Sequence, residues 1–230
     1  MVILAADTST PVNTVCLSRS GQILAETVVL SGRKHSERLL ETVDWVLSEG
    51  GMGLGQVDTL AVSVGPGSFT GLRVGIATWK GLALAQGLPL AGVPTLDAMT
   101  GLGVFTEGVV CPLLDARMHE VFGAVYAYRG GIRTKLTPDR VCSIDDFLND
   151  VPDTAVFLGD GATLYADAIR KRFPQAFFAP GHCAVPRASA VAWEAFQRLE
   201  EGASTDAAAV VPIYLRKSQP EEKKERAALS

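Results

Sequence analysis

Two aspartates that end short apolar runs are the first candidates for chemistry: Val2–Ala6 stops at Asp7, and Val109–Leu114 stops at Asp115. Carboxylates at equivalent strand ends, facing each other over a cleft, would hold Mg²⁺ and position water in a nucleotide hydrolase. The plainer alternative is that each caps a turn. Asp7-Thr8-Ser9-Thr10 has the hydroxyls of a phosphate loop without its glycines, and Gly159-Asp160-Gly161-Ala162 is similarly short. Asp7, Ser9, Asp115, Gly159 and Gly161 together sketch a vestigial nucleotide cleft. Gly65-Pro66-Gly67-Ser68-Phe69-Thr70-Gly71 follows a strand and opens a helix, where exposed amides can hold an anion. Its spacing meets neither the dinucleotide nor the P-loop fingerprint. A tight turn that uses glycine for close packing accounts for it more simply.

Other constellations are weaker. Ser63 lies in Ala61-Val62-Ser63-Val64-Gly65, which misses the first glycine of a nucleophile elbow. His35, His119 and His182 are scattered and form no triad pattern with it. Cys16, Cys111, Cys142 and Cys183 are far apart and lack metal-ligand spacing, which reads as reduced, mostly buried thiols.

The elements that must position these residues follow from periodicity. Val2–Ala6 reads as a buried strand, followed by strands 13–19 and 22–30 joined at Ser20-Gly21. A helix over 35–49 carries Leu39, Leu40, Val43, Val46 and Leu47 as one stripe, with Trp45 off it. A strand over 60–64, a helix over 68–86 and a strand over 88–93 complete the half. The second half repeats the order. A strand over 109–114 is followed by a hairpin of 121–128 and 132–136, a helix over 144–148, a strand over 155–158 and a helix reaching Arg172. A last helix spans 188–201. The expected architecture is α/β, a two-lobed actin-like ATPase superfamily fold with ribonuclease-H-like lobes over 1–105 and 106–230. A charged, solvated tail is expected from about 217. The 68–86 helix is apolar nearly all round, and Ala77, Gly81 and Ala85 give it a smooth line for close approach.

The 230 residues include 21 Lys and Arg against 25 Asp and Glu, a net charge of −4, and 47% are hydrophobic. That composition excludes disorder and argues against a dominant nucleic-acid-binding role. No apolar run reaches the roughly 18 residues of a membrane span. The N-terminus lacks the basic start of a signal peptide, so a cytoplasmic location and no membrane partner are expected.

Five segments carry a family resemblance: Ala5-Ala-Asp-Thr-Ser-Thr, His35-Ser-Glu-Arg-Leu-Leu, Val64-Gly-Pro-Gly-Ser-Phe-Thr-Gly-Leu-Arg-Val-Gly, Asp115-Ala-Arg and Pro212-Ile-Tyr-Leu-Arg. In order and spacing the chain resembles the bacterial TsaB family, also called YeaZ. The resemblance implies a non-catalytic paralogue of TsaD, the subunit that transfers threonylcarbamoyl to the adenosine beside the anticodon of tRNAs reading codons that begin with adenine. It implies a scaffold that pairs with a TsaD-like subunit through first-lobe helices, is joined by a TsaE-like ATPase, self-associates through a similar face and meets tRNA indirectly. No cofactor is implied for this chain itself, while the complex needs ATP and a metal in its other subunits. The catalytic paralogue's metal-binding His-x-x-x-His pair is reduced here to His35, with Leu39 in the second place. The partner-binding residues expected are His35, Leu39, Val43, Trp45, Val46, Leu72, Arg73, Ile76, Ala77 and Lys80. The alternative is a stand-alone actin-like ATP-dependent kinase or hydrolase using Asp7 and Asp115.

Overall fold

The computed structural model describes residues 1–30, 35–102 and 107–216. The expected tail from 217 and the side chain of His35 lie outside the described residues. The first sheet is built from β1 (Val2–Asp7), β2 (Val12–Arg19), β3 (Gln22–Leu30), β4 (Thr59–Gly65) and β5 (Leu90–Pro94), in the order β3-β2-β1-β4-β5. β1, β2 and β3 pair antiparallel, and β4 and β5 extend the sheet in parallel.

Both faces of β1 are buried, and its period of two divides them. Val2, Leu4 and Ala6 join a core with α1 (His35–Glu49) and α2 (Phe69–Gln86). Ile3 and Ala5 join a different core with α7 (Ala188–Glu200). Ser68 caps α2 by accepting from the Gly71 N–H at 3.2 Å, and Gly87 closes it in the left-handed conformation. The Trp79 indole N–H donates to the Leu4 carbonyl at 3.3 Å, which fixes α2 to the central strand.

α7 corrects the expected lobe boundary. The order of elements predicts a second lobe over 106–230, yet α7 packs on the first sheet. Glu26 on β3 receives it there, pairing with Arg187 and accepting from the Ser189 N–H at 3.0 Å, a cap supplied from across the sheet. The segment after α7 also stays on the first lobe: Leu90 N–H donates to the Thr205 carbonyl at 3.0 Å and Val210 enters the α1/α2 core. The first lobe is therefore discontinuous in sequence.

α3 (Thr95–Met99) leads toward the second lobe. There β6 (Gly108–Arg117), β7 (Glu120–Gly123), β8 (Tyr126–Arg129), β9 (Ile132–Lys135), β10 (Arg140–Ser143), β11 (Ala155–Leu158) and β12 (Phe177–Phe178) form the second sheet. Its path is β10-β7-β6-β11-β12, with β8 on the first residues of β6 and β9 on β8. The expected single strand over 121–128 is thus two strands on different parts of β6. Thr137 Oγ1 accepts from the Val125 N–H at 2.9 Å at the break.

Ser143 caps α4 (Ile144–Leu148) as expected, through Asp146 N–H at 3.1 Å. The expected helix into Arg172 is two pieces, α5 (Asp160–Leu164) and α6 (Ala166–Arg172), parted at Tyr165. The four cysteines are free thiols, and burial pushes those of Cys16 and Cys111 up. No helix among the described residues is long and apolar enough to cross a membrane.

Candidate functional site: an interlobe cleft and an apolar helix face

The lobes enclose a cleft of about 600 Å³. The first lobe lines it with Ser9, Thr10, Ser68, Phe69 and Thr70, and the second with Asp115, Arg117, Phe122 and Asp160. Ile213, Tyr214, Leu215 and Arg216 run along it. Of the five residues expected in a vestigial nucleotide cleft, Ser9 and Asp115 are on its wall.

Asp7 lies behind the wall, fully buried. Its Oδ1 accepts from the Ser9 N–H at 2.9 Å and the Ser9 hydroxyl at 2.8 Å, and its Oδ2 accepts from the Ser63 hydroxyl. Asp115 takes the Arg117 N–H at 2.8 Å and pairs with the Arg117 guanidinium at 3.1 Å. Its own N–H donates to Asp160 Oδ1 at 3.0 Å. Burial raises the Asp160 carboxyl above its ordinary range.

The glycines close space instead of opening it. A Cβ on Gly159 would come within 2.0 Å of the Leu113 carbonyl oxygen, and one on Gly161 within 2.9 Å of the Leu114 carbonyl carbon. Both serve the close approach of α5 to β6. Gly67, Gly71 and Gly75 do the same for α2 and the loop after β1. Their Cβ atoms would meet Ser9 and Thr8 at 2.5, 2.0 and 2.2 Å. This is the close-packing reading of the Gly65–Gly71 block. With its glycines packed on backbone and Asp7 turned inward, the residue set does not fit a nucleotide held with Mg²⁺.

The helix residues expected to bind a partner divide into two groups. Leu39, Val43, Val46, Leu72 and Ile76 are 5% exposed or less and belong to the first-lobe core. Burying each stabilises the chain's own fold by roughly 1.5–3 kcal/mol, so these five are corrected from contact surface to core. On α1 the apolar stripe, apart from Leu40 at its edge, is the side that meets the sheet. Trp45 is 49% exposed, Ala77 is exposed and Lys80 is half-buried. Arg73 is exposed but engaged, with its guanidinium 3.9 Å over the Phe69 ring. Two residues outside that set complete the exposed face: Leu40 is 56% exposed and Leu84 87% exposed. Leu84 sits on the side of α2 that the sequence reading expected to be covered. Hydrophobicity on the face turned away from the stripe was the signal that could have found it.

Two sheets with helices on both faces of the first, a cleft between them and a last helix returning to the first lobe define a two-lobed α/β protein of actin-like fold. Likeness to solved structures agrees in fold. Component A of the (R)-2-hydroxyglutaryl-CoA dehydratase from Acidaminococcus fermentans superposes with a TM-score of 0.54 at 10% identity, over 87% of this chain and 99% of that one. A protein from Pseudomonas aeruginosa described as similar to peptidase YeaZ reaches a TM-score of 0.79 at 27% identity, over 94% of this chain and 99% of the other.

The family model for TsaD, tRNA N6-adenosine threonylcarbamoyltransferase, matches residues 24–224. The Haemophilus influenzae tRNA threonylcarbamoyladenosine biosynthesis protein TsaB is 32% identical over 94% of both chains. Its Bacillus subtilis counterpart is 29% identical over 97% of both. The chain belongs to this threonylcarbamoyltransferase-related family, on its TsaB (YeaZ) branch.

Proposed function

We propose that the chain serves tRNA threonylcarbamoyladenosine biosynthesis as a non-catalytic subunit that docks on a TsaD-like catalytic subunit. The observation that carries this reading is the exposure of large apolar side chains on α1 and α2: Leu40 and Trp45 on the first, and Leu84 on the second, on the same side as the exposed Ala77 and Gly81. Large apolar side chains left exposed on two helices suit a protein contact, with Trp45 as its aromatic anchor. The small Ala77 and Gly81 let a second helix approach closely; a Cβ on Gly81 would meet nothing within 4 Å. The inward-turned Asp7 and the Arg117-paired Asp115 support a supporting role over catalysis. A TsaE-like ATPase joins this assembly, a homodimer uses the same face in the partner's absence, and tRNA is met through the complex.

The test is co-expression with the TsaD-like subunit of the same organism, followed by size-exclusion chromatography and a threonylcarbamoyl-transfer assay with and without this chain. Ala77→Arg and Leu84→Glu are expected to weaken the complex at least tenfold, which corresponds to about 1.4 kcal/mol. Both positions are exposed, so the lone subunit should melt as wild type does. Leu39→Ala is expected to behave oppositely, losing about 2–5 kcal/mol of fold stability as a buried leucine does. Retention of the complex by Leu84→Glu at wild-type affinity would remove α2 from the interface.

A further inference from the structure

The described chain passes between the lobes three times. It leaves the first lobe between α3 and β6, returns before α7, and crosses again within Ile213–Arg216. Two crossings suffice for a hinge. The third runs along the cleft, and its four residues divide evenly between the lobes. Ile213 N–H donates to the Val64 carbonyl at 2.6 Å, and Gly65 leaves it room, since a Cβ there would lie 2.6 Å from the Ile213 oxygen. The Tyr214 ring stacks on Phe69 with centroids 4.6 Å apart, and its hydroxyl accepts from Arg73 Nε at 2.9 Å. Arg73 in turn lies over the Phe69 ring, so three side chains clamp this end to the start of α2. Leu215 packs into the core containing Leu114, Ala116 and Phe122. Arg216 donates to Glu120 Oε2 at 2.8 Å and to the Ala116 carbonyl at 3.0 Å.

We propose that Ile213–Arg216 is a latch that holds the cleft at one opening, with Arg73 as the positioning residue of its first-lobe end. A chain segment extends at most about 3.3–3.6 Å per residue. Four residues bonded at both ends therefore have little slack, and the lobes separate at the cleft only if one end peels away. An aromatic stack with an arginine over it holds one end, and a charge-assisted pair with an added carbonyl contact holds the other. Release of either end frees the same motion, so the two ends act as one unit. The latch concerns the isolated chain and stands apart from partner docking.

The test is the distance distribution between spin labels at Asp44→Cys on α1 and Asp167→Cys on α6, both exposed, with Cys142→Ser to remove the one half-buried native thiol. The parent should give one narrow distance. Arg73→Ala and Arg216→Ala should each broaden it toward longer separations, and the double variant should match the singles instead of adding to them. Tyr214→Phe keeps the ring and removes only the hydroxyl; it should broaden the distribution less than Arg73→Ala while melting like the parent. An unchanged distribution in either arginine variant, or additive broadening in the double, would overturn the latch.

Discussion

Glu194→Ala is expected to lower the free energy of unfolding by about 3 kcal/mol, the low end of the cost of removing one partner from a buried ion pair. Glu194 on α7 accepts from both terminal nitrogens of Arg133 on β9, at 2.9 and 2.8 Å, and from Arg198 Nε at 2.8 Å. Arg198 continues to Asp97 on α3, which also accepts from Lys135 at 2.9 Å and from the Tyr126 hydroxyl at 2.6 Å. The network therefore joins two first-lobe helices to the β8–β9 hairpin. Removing Glu194, whose side chain is 5% exposed, leaves a guanidinium that is 27% exposed. That partial exposure keeps the cost from the upper end. Urea unfolding of the two proteins at pH 7 measures the difference, and a wild-type midpoint would show that water already screens the pair.

The same network sets a pH dependence. Burial pushes the Glu194 carboxyl up, but hydrogen bonds and charge from Arg133 and Arg198 outweigh it and hold the group below its ordinary value. Asp97 is likewise held low: burial raises it, and Lys135, Tyr126 and Arg198 more than compensate. With folded values depressed, the unfolded chain takes up protons first as pH falls. The stabilisation is complete above the ordinary Glu and Asp values of 4.5 and 3.8 and is lost as pH drops through the lower folded values. Asp139 and Asp160, raised by burial, work in the opposite sense. The informative quantity is therefore the gap between wild type and Glu194→Ala, expected to narrow below about pH 4.5.

Local periodicity explains why the first lobe was readable. β1 is an unbroken apolar run that stops at Asp7, β2 and β3 meet at Ser20-Gly21, and α1 carries a 3.6-fold stripe; their bounds fall within a residue of expectation. The second lobe fails where pairing is non-local. Nothing in Val121–Tyr128 announces that its two ends join different parts of β6, because the decision is made by Thr137 at Val125 and by β9 and β10. α7 was legible as a helix but not in its destination, which depends on Glu26 far upstream. The network is invisible for the same reason, since Arg198 and Asp97 are 101 residues apart.

On α1 one apolar stripe cannot serve both core and partner: its residues are buried except Leu40 at the edge, and Trp45, off the stripe, faces outward. In the cleft, Ser9 and Asp115 were legible from strand ends. Asp160, Arg117 and Tyr214 were not: Asp160 reaches Asp115 through the packing of α5 on β6, Arg117 through the turn at the end of β6, and Tyr214 lies on a segment that returns along the cleft from the first lobe.

Gly71→Ala is expected to be among the most damaging single-methyl changes in the chain. The added Cβ would sit 2.0 Å from the Thr8 carbonyl oxygen, a backbone atom that cannot swing aside. Around it, Thr8 Oγ1 donates to the Gly71 carbonyl at 2.8 Å, and Ser68 N–H donates to the Ser9 carbonyl at 2.6 Å. Gly75, one turn on, holds a Cβ position 2.2 Å from Thr8 Oγ1. Relieving the clash means lifting the start of α2 off the loop after β1, which breaks both hydrogen bonds and shifts Leu72 within the core. The cost should reach at least about 3 kcal/mol, the upper end for overpacking.

Gly81→Ala is the matched control on the same helix. Its Cβ would meet nothing within 4 Å, so the gain in helix propensity should leave stability unchanged or raise it by up to about 1 kcal/mol. Thermal unfolding of both separates the two roles of glycine in α2. If Gly71→Ala melts like Gly81→Ala, the loop after β1 yields freely and the Gly65–Gly71 block is not held by close packing. A large loss at 71 with none at 81 ties the block to the seat of α2, which positions both the cleft edge and the exposed helix face.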